Sequence, residues 1–408
     1  MDKSPFIITP ILFLFCMVSL SAQPDVVSRD SVRALALSAN LDVIIAHSKA
    51  MQTDKLRGAA IDLGPLSITW MGGQYNAPDF DNSFSVQQGI PWPGKLMANS
   101  ELYDAQATEA ELESHWTRRT VTAEVERTMD RIAYARELIG VLDRLDSVLS
   151  RSVRYVRSRQ SVGDATELER LFQEGQLSEL KAQRMQYRAQ LQNAETNLHV
   201  LCGDAFVTIP DTVLQRRSRP VDTTLSPSVA ARYEQRLLVA KAQHDVSASS
   251  WWPDFTIGYS NQSLIGTKLH TGRITDGSDR FQYVTIGVAV PLWFGPIQAK
   301  QAQTALDVEL AEKETQRRVD HAEHERENLQ RTIAALATTL DHYDGPARHE
   351  SLTLVEHGSR AYEAGQIGWV ELQQSLQRAL TINLSRLETL QEFNDAVIQL
   401  DLLTGQQP

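Results

Sequence analysis

The sequence holds 408 residues with a formal net charge of −11, enough for two or three ordinary domains or one elongated fold. That negative balance argues against nucleic acid as a partner, and the weight of Gln, Glu, Arg, Ala and Leu points to long helices rather than a compact mixed domain. The chain has 2 cysteines, and Cys16 lies in an apolar N-terminal run, so disulfides do not hold a mature fold together.

In chain order, residues 1–22 read as a secretory signal peptide. Lys3 supplies the basic start, residues 6–20 form the apolar run with Pro10 inside it, and Ser19, Ser21 and Ala22 supply small residues for cleavage. A membrane anchor is the alternative, but a spanning helix needs ~20 apolar residues and this run is shorter. Leu14 and Phe15 precede Cys16, where lipoprotein processing would need small residues. Cys202 is then alone, at a predicted helix end, where a thiol is ordinary packing.

Beyond the leader the chain repeats itself. Pro91 matches Pro291, Gly94 matches Gly295, Gly163 matches Gly365, and Leu198-x-x-Leu201-x-Gly203 matches Leu400-x-x-Leu403-x-Gly405. The reading is a first repeat over 23–205, a linker over 206–227 and a second repeat over 228–408. The first repeat is predicted as a helix over 28–60, strands over 66–75 and 82–90, a long helix over 95–160 and a helix over 164–202. The second is predicted as a helix over 228–250, strands over 254–261 and 280–290, a long helix over 297–362 and a helix over 366–404. Gly345 and Pro346 are expected to kink or break the second long helix. Each long helix would run ~100 Å, about as far as the two shorter ones of its repeat stacked end to end. That length match predicts a coiled rod, twice per chain.

The strands alternate. Phe84, Val86 and Ile90 share one face, with Gln88 the polar exception; Phe255, Ile257 and Tyr259 share another; Val284, Ile286, Val288 and Val290 oppose Tyr283, Thr285, Gly287 and Ala289. Their length, of about 8–11 residues, suits a tilted membrane-crossing strand. Trp92, Trp251, Trp252, Trp293 and Phe294 stand near strand ends, where aromatic girdles belong. Two soluble hairpins packed on the helices are the alternative. If the strands cross a membrane, four cannot close a barrel and open edges in lipid are forbidden, so copies must assemble, a trimer giving twelve strands and a dimer eight.

Each strand pair ends in a corner. Ile90-Pro91-Trp92-Pro93-Gly94-Lys95 and Val290-Pro291-Leu292-Trp293-Phe294-Gly295 stop the ladder with prolines, offer glycine for the turn, and precede a helix. These corners, the glycine turns at Val162-Gly163 and Ala364-Gly365, and the two Leu-x-x-Leu-x-Gly ends, in this order and spacing, resemble the TolC-like outer membrane efflux protein family over essentially all of the mature chain. The resemblance implies a mainly α fold, a long α-helical barrel continued by a transmembrane β-barrel that trimerisation completes. It implies a passive duct in the cell outer membrane, extending into the periplasm, without cofactors or chemistry of its own. Its partners would be two further copies, outer membrane lipid, a periplasmic adaptor (membrane fusion protein) and an inner membrane transporter; cargo would be drugs, metal ions or other small molecules.

The resemblance further implies that the glycine turns are periplasmic tips, placing Val162, Gly163, Thr166, Gly365, Val370 and Leu372 against the adaptor. Glu371 stands where the family often has a lumenal acid, while Gln374 stands where a second might be; a solvated helix face is the alternative for Glu371. Asp164 and Glu167 suit a helix N-terminus. His321 and His324 at i, i+3 could share a metal, but their surroundings read as a charged helix face with no third ligand. No phosphate loop, nucleophile elbow or Cys–His pair is present, which sets an enzyme aside. A periplasmic coiled-coil adaptor or scaffold is the competing class. It would share the long helices but not the tandem copy.

Overall fold

The computed structural model describes residues 28–74, 78–205, 209, 213–220 and 223–405, and the leader reading over 1–22 falls outside them. The elements are α1 (Arg29–Ala39), α2 (Leu41–Leu56), β1 (Ser67–Gly73), β2 (Asp81–Ile90), α3 (Pro93–Ser161), α4 (Glu167–Leu201), α5 (Pro227–Ser249), β3 (Asp254–Ser263), β4 (Arg280–Ala289), α6 (Phe294–His342), α7 (Arg348–Glu363) and α8 (Trp369–Thr404).

α3 carries the molecule. Its 69 residues run ~104 Å. Val121, Val125, Met129 and Ile132 recur at threes and fours and are buried with Leu198 of α4 and Val32 and Ala36 of α1. Further along, Leu138, Leu142, Leu145 and Leu149 are buried with Leu180 of α4 and Leu372, Leu376 and Leu380 of α8. One seam therefore joins both repeats. The second long helix is broken as the sequence suggests: Tyr343–Ala347 forms a π-helical turn in which Gly345 leaves helical geometry and Pro346 lacks an amide donor.

Short helices abut end to end beside the long ones. The predicted helix over 28–60 is two helices, because Asn40 is extended and serves both ends. Its Oδ1 accepts from the amides of Asp42 (2.9 Å) and Val43 (3.3 Å), capping α2, while its Nδ2 donates to the Leu201 carbonyl (3.1 Å) that ends α4. At the other junction the Ser226 amide, at the start of α5, donates to the Leu403 carbonyl of α8 (2.9 Å).

A buried ionic belt ties the repeats together. Glu126 and Asp130 of α3 are 3% and 2% exposed, so their charges need partners. Arg29 of α1 reaches both, at 3.2 and 2.8 Å; Arg33 reaches Glu126 at 3.2 Å; Arg217 of the linker reaches Asp130 at 2.9 Å and also pairs with Glu126. Asn394 of α8 closes the belt, donating to Asp130 (3.3 Å) and accepting from the Arg217 amide (3.0 Å).

The four strands form one antiparallel sheet in the order β1-β2-β3-β4. The two hairpins, distant in sequence, meet at β2 and β3, and β1 and β4 are left as edges.

Candidate functional site

Register decides what the sheet presents. Ile68 pairs with Val86, Val86 with Tyr259 and Tyr259 with Val284. Trp70 pairs with Phe84, Ile90 with Phe255, Phe255 with Val288, and Ile257 with Ile286. Cross-strand partners share a face, so all four strands put their apolar residues on the same side. Gln88 falls in the row of Ile257 and Ile286, and its Nε2 bends to the Leu63 carbonyl (2.7 Å). The opposite face carries Ser, Thr, Gly and Gln along most of its length. The apolar face is uncovered: Trp70 is 66% exposed and Ile286 79%. Among the described residues no helix packs over it. Among the described residues no helix is long and apolar enough to cross a membrane.

The corners set the sheet on the helices. Trp92 caps α3 and Pro93 opens it, where a missing amide donor costs nothing. Trp92 stacks on Trp252 at 5.2 Å between centroids, and Trp251 stacks on Phe294 at 5.5 Å, so the Trp pair after α5 grips both corners. Lys95 Nζ bonds Asp254 Oδ1 at 2.7 Å, tying the foot of β3 to α3. Two readings need correcting. Neither Gly94 nor Gly295 takes a positive φ, and both lie in first helical turns, so neither is there to make the corner. A Cβ at Gly94 would stand 3.0 Å from the Trp92 indole, which gives that glycine a packing reason; Gly295 has open space around it. Pro91 and Pro291 lie in the short connections between strand and helix, as expected of ladder stops.

At the far end of the rod both helical hairpins turn in the same way. Asp164 N bonds Arg159 O (2.9 Å) and Gly163 N bonds Gln160 O (3.0 Å); Gln366 N bonds Ala361 O (2.8 Å) and Gly365 N bonds Tyr362 O (3.0 Å). Gly163 and Gly365 have φ of 81° and 71°, which an L side chain resists. Thr166 caps α4 by accepting from the Glu169 amide (3.1 Å). Glu371 performs the related task in α8, its carboxylate accepting from the Gly368 amide (2.7 Å). Asp164 pairs with Arg159 at 2.9 Å, and Glu167 lies in the first turn of α4.

The two tips are coupled. Tyr362 of α7 donates to Glu169 of α4 (2.8 Å) and accepts from Gln173 Nε2 (2.8 Å), whose Oε1 accepts from Ser152 (2.8 Å). Gln173 is fully buried, so this chain satisfies it. Burial, and then the bond to Glu169, push the Tyr362 hydroxyl up to about 12. Tyr155 meets the Tyr362 ring edge-on at 5.6 Å.

Residues 68–204, the first repeat from β1 to the end of α4, match the family model described as outer membrane efflux protein. The fold is that of solved outer membrane channels over nine-tenths of the chain. The outer membrane protein VceC of Vibrio cholerae superposes with a TM-score of 0.79 at 13% identity, covering 93% of this chain and 97% of that one. The CmeC outer membrane channel of Campylobacter jejuni gives 0.78 at 14%, covering 92% and 85%. The open-state MtrE outer membrane channel of Neisseria gonorrhoeae gives 0.74 at 15%, covering 93% and 89%. No curated protein matches the chain by sequence.

Over residues 68–204 the chain resembles the outer membrane efflux protein family, and along nine-tenths of its length it has the fold of solved outer membrane channels. It is mainly helical with one small antiparallel sheet, the fold shared with the solved outer membrane channels CmeC and MtrE. At the two helical turns Val162 and Val370 are 78% and 63% exposed, and Gly163, Thr166 and Gly365 are exposed beside them. Leu372, expected at the same surface, is instead 1% exposed, inside the seam with Leu138 and Leu376, so it supports the turn from within and offers no surface. Sequence reading missed Tyr155, Gln173 and Tyr362, which have no matching partners in the other repeat, and Glu169, whose counterpart at the repeat offset is Glu371. Among the described residues no three His, Cys, Asp or Glu side chains gather for a metal, and His321 stands 3.8 Å from Glu325 on its own helix. Cys202 is buried, and burial pushes its thiol up to about 11.

Proposed function

We propose that this chain is the outer membrane channel of a tripartite efflux pump, a passive trimeric duct for drugs, metal ions or other small molecules. The observation that carries the reading is the sheet: one apolar face, continuous through the register of four strands and uncovered, with open edges at β1 and β4. Such edges are tolerated in lipid only when other strands pair with them, and three copies would give a twelve-stranded barrel. The paired helices, ~100 Å long, would continue the duct through the periplasm. An inner membrane transporter would supply the energy, and a periplasmic adaptor would dock on the exposed tip residues Val162, Gly163, Thr166, Gly365 and Val370. Glu371, capping α8 with one carboxylate oxygen, would add its charge to the lumen at the tip.

The test is the mass and conductance of the protein extracted from outer membranes in mild detergent. A trimer that opens discrete conductances in planar bilayers is expected, with weaker cation preference in Glu371→Gln, whose amide oxygen keeps the cap. A soluble periplasmic monomer would sink the proposal and favour the adaptor or scaffold class.

A further inference from the structure

A cleft of about 650 Å³ opens over α3, between α1 and the joint where α8 ends and α5 begins. Its walls are helix faces. α3 contributes His115, Arg118, Arg119 and Thr122, spaced i, i+3, i+4, i+7, and α1 contributes Asp30, Arg33, Ala34 and Leu37 at the same spacing. Such a stripe is where packed helices put apolar residues, as α3 does with Val121, Val125, Met129 and Ile132. Here the α3 stripe is polar and cationic. Ser226 and Ser228 close the far side of the cleft at the start of α5.

The carboxylates near this cleft are already matched. Asp30, Glu126 and Asp130 meet Arg29, Arg33 and Arg217, three charges of each sign. Glu111 stands 3.9 Å from His115. Among the described residues Arg118 and Arg119 form no ion pair. Arg118 is exposed. Arg119 is half-buried, and its partners are neutral oxygens: the Asp401 carbonyl (3.1 Å), the Leu402 carbonyl (2.6 Å) and Ser228 Oγ (3.3 Å). The Asp401 carboxylate does not supply the missing charge, since the cation acting on it is Arg217. Burial lowers the Arg119 pKa, and no neighbouring charge opposes it. The joint adds to this field. Ser226, the N-cap of α5, makes no side-chain cap bond, and its hydroxyl meets Ser228 Oγ at 2.9 Å instead. The start of α5 therefore turns the positive end of its dipole, roughly half an elementary charge, toward the cleft. The α8 carbonyls at the same joint are the ones that Arg119 Nη2 holds.

We propose that this cleft binds a small organic phosphate, its oxygens taken by Arg118 and the Ser228 hydroxyl with the charge of Arg119 behind them, and its organic body lying against Leu37 and Leu402. The two unmatched guanidinium charges suit a phosphomonoester, which carries roughly −1.5 to −2 at neutral pH, better than a monocarboxylate. Arg118 and Ser228 are both exposed, so a ligand entering the cleft reaches them without rearrangement. The volume falls within the range of small-molecule sites and exceeds what inorganic phosphate fills. The proposal does not rest on the channel reading, because binding needs neither a membrane nor a partner pump.

The experiment is calorimetric titration of the full chain, solubilised in detergent, with phenyl phosphate. Inorganic phosphate and the cation benzylammonium are titrated in parallel. Saturable binding of phenyl phosphate at one site per chain is expected, at least tenfold weaker in Arg118→Glu, with no saturable binding of the cation. Ser228→Asp puts a carboxylate in the first turn of α5, where the helix dipole favours it, and is expected to weaken binding at least tenfold with the thermal midpoint kept. Absence of saturable binding, equal affinity for the cation, or affinity unchanged in either variant overturns the proposal. Inorganic phosphate binding as tightly as phenyl phosphate overturns the organic part of it.

Discussion

Glycines that follow helix ends within one repeat do not carry equal burdens. Gly163 and Gly203 both have positive φ, 81° and 67°, and both follow a helix end. Around Gly163 there is open space, whereas a Cβ on Gly203 would stand 2.8 Å from the Ala39 carbonyl oxygen, because α4 abuts the α1–α2 break there. The other repeat obeys the same rule: a Cβ on Gly405 would stand 2.7 Å from Ser226 Oγ at the start of α5. Gly163→Ala should therefore cost about 1–2 kcal/mol for its left-handed backbone alone. Gly203→Ala should cost more, since backbone must also move. Denaturant unfolding of the two variants checks the order, and equal losses would mean that the α2–α4 junction is loose. The Leu-x-x-Leu-x-Gly ends are legible in the sequence as helix stops. That each stop is also a contact between abutting helices is not, because the atoms it meets lie 164 positions away in one repeat and 179 in the other.

At the scale of elements, what the sequence yields depends on whether a pattern is local. Alternation of apolar residues is local, so the apolar face of β2, β3 and β4 is readable strand by strand, and only the pairing that aligns them needs the fold. Ile286 lies mid-strand on that face and is 79% exposed in the single chain. Ile286→Arg should cost about 2–4 kcal/mol if it faces lipid, and abolish outer membrane assembly. Normal trimer yield would show that the face lies elsewhere. The tip network is different in kind. Tyr362, Gln173 and Ser152 belong to three helices, and the repeat places Gln160, Ser375 and Leu354 at the corresponding positions, so matching the halves hides them. Tyr362→Phe removes the acceptor of buried Gln173 Nε2 and the donor to Glu169. About 1–3 kcal/mol of tip stability should go with it, read as faster amide exchange near 152–173 and 358–372 with little change in the strands. Uniformly unchanged exchange would mean that the seam below, with Leu372 and Leu376, holds the tips without it.

For the whole molecule, the decisive joints are those where two short helices replace one long one, and the second joint contains a misplaced charge. Asp401 lies in the last turn of α8, where the helix dipole disfavours a carboxylate, and is 8% exposed. Arg119 spends its donors on the neighbouring carbonyls, bonding Asp401 O at 3.1 Å and Leu402 O at 2.6 Å, not the carboxylate. Burial lifts Asp401 to about 6, with Arg217 opposing the rise. The sign follows from that lift. An unfolded Asp ionises near its ordinary value, well before the folded one, so the folded chain binds the extra proton between the two and loses stability as pH rises through that window. Above about pH 6 the full penalty applies; below the ordinary Asp value both states are protonated and it vanishes. Asp401→Asn should then raise the thermal midpoint of the assembled protein at pH 8, raise it less at pH 5, and leave it unchanged at pH 3.5. Every other group titrates alike in both proteins, so the difference isolates this one. A gain that persists undiminished at pH 3.5 would mean that the carboxylate's shape, not its charge, is what the joint resists.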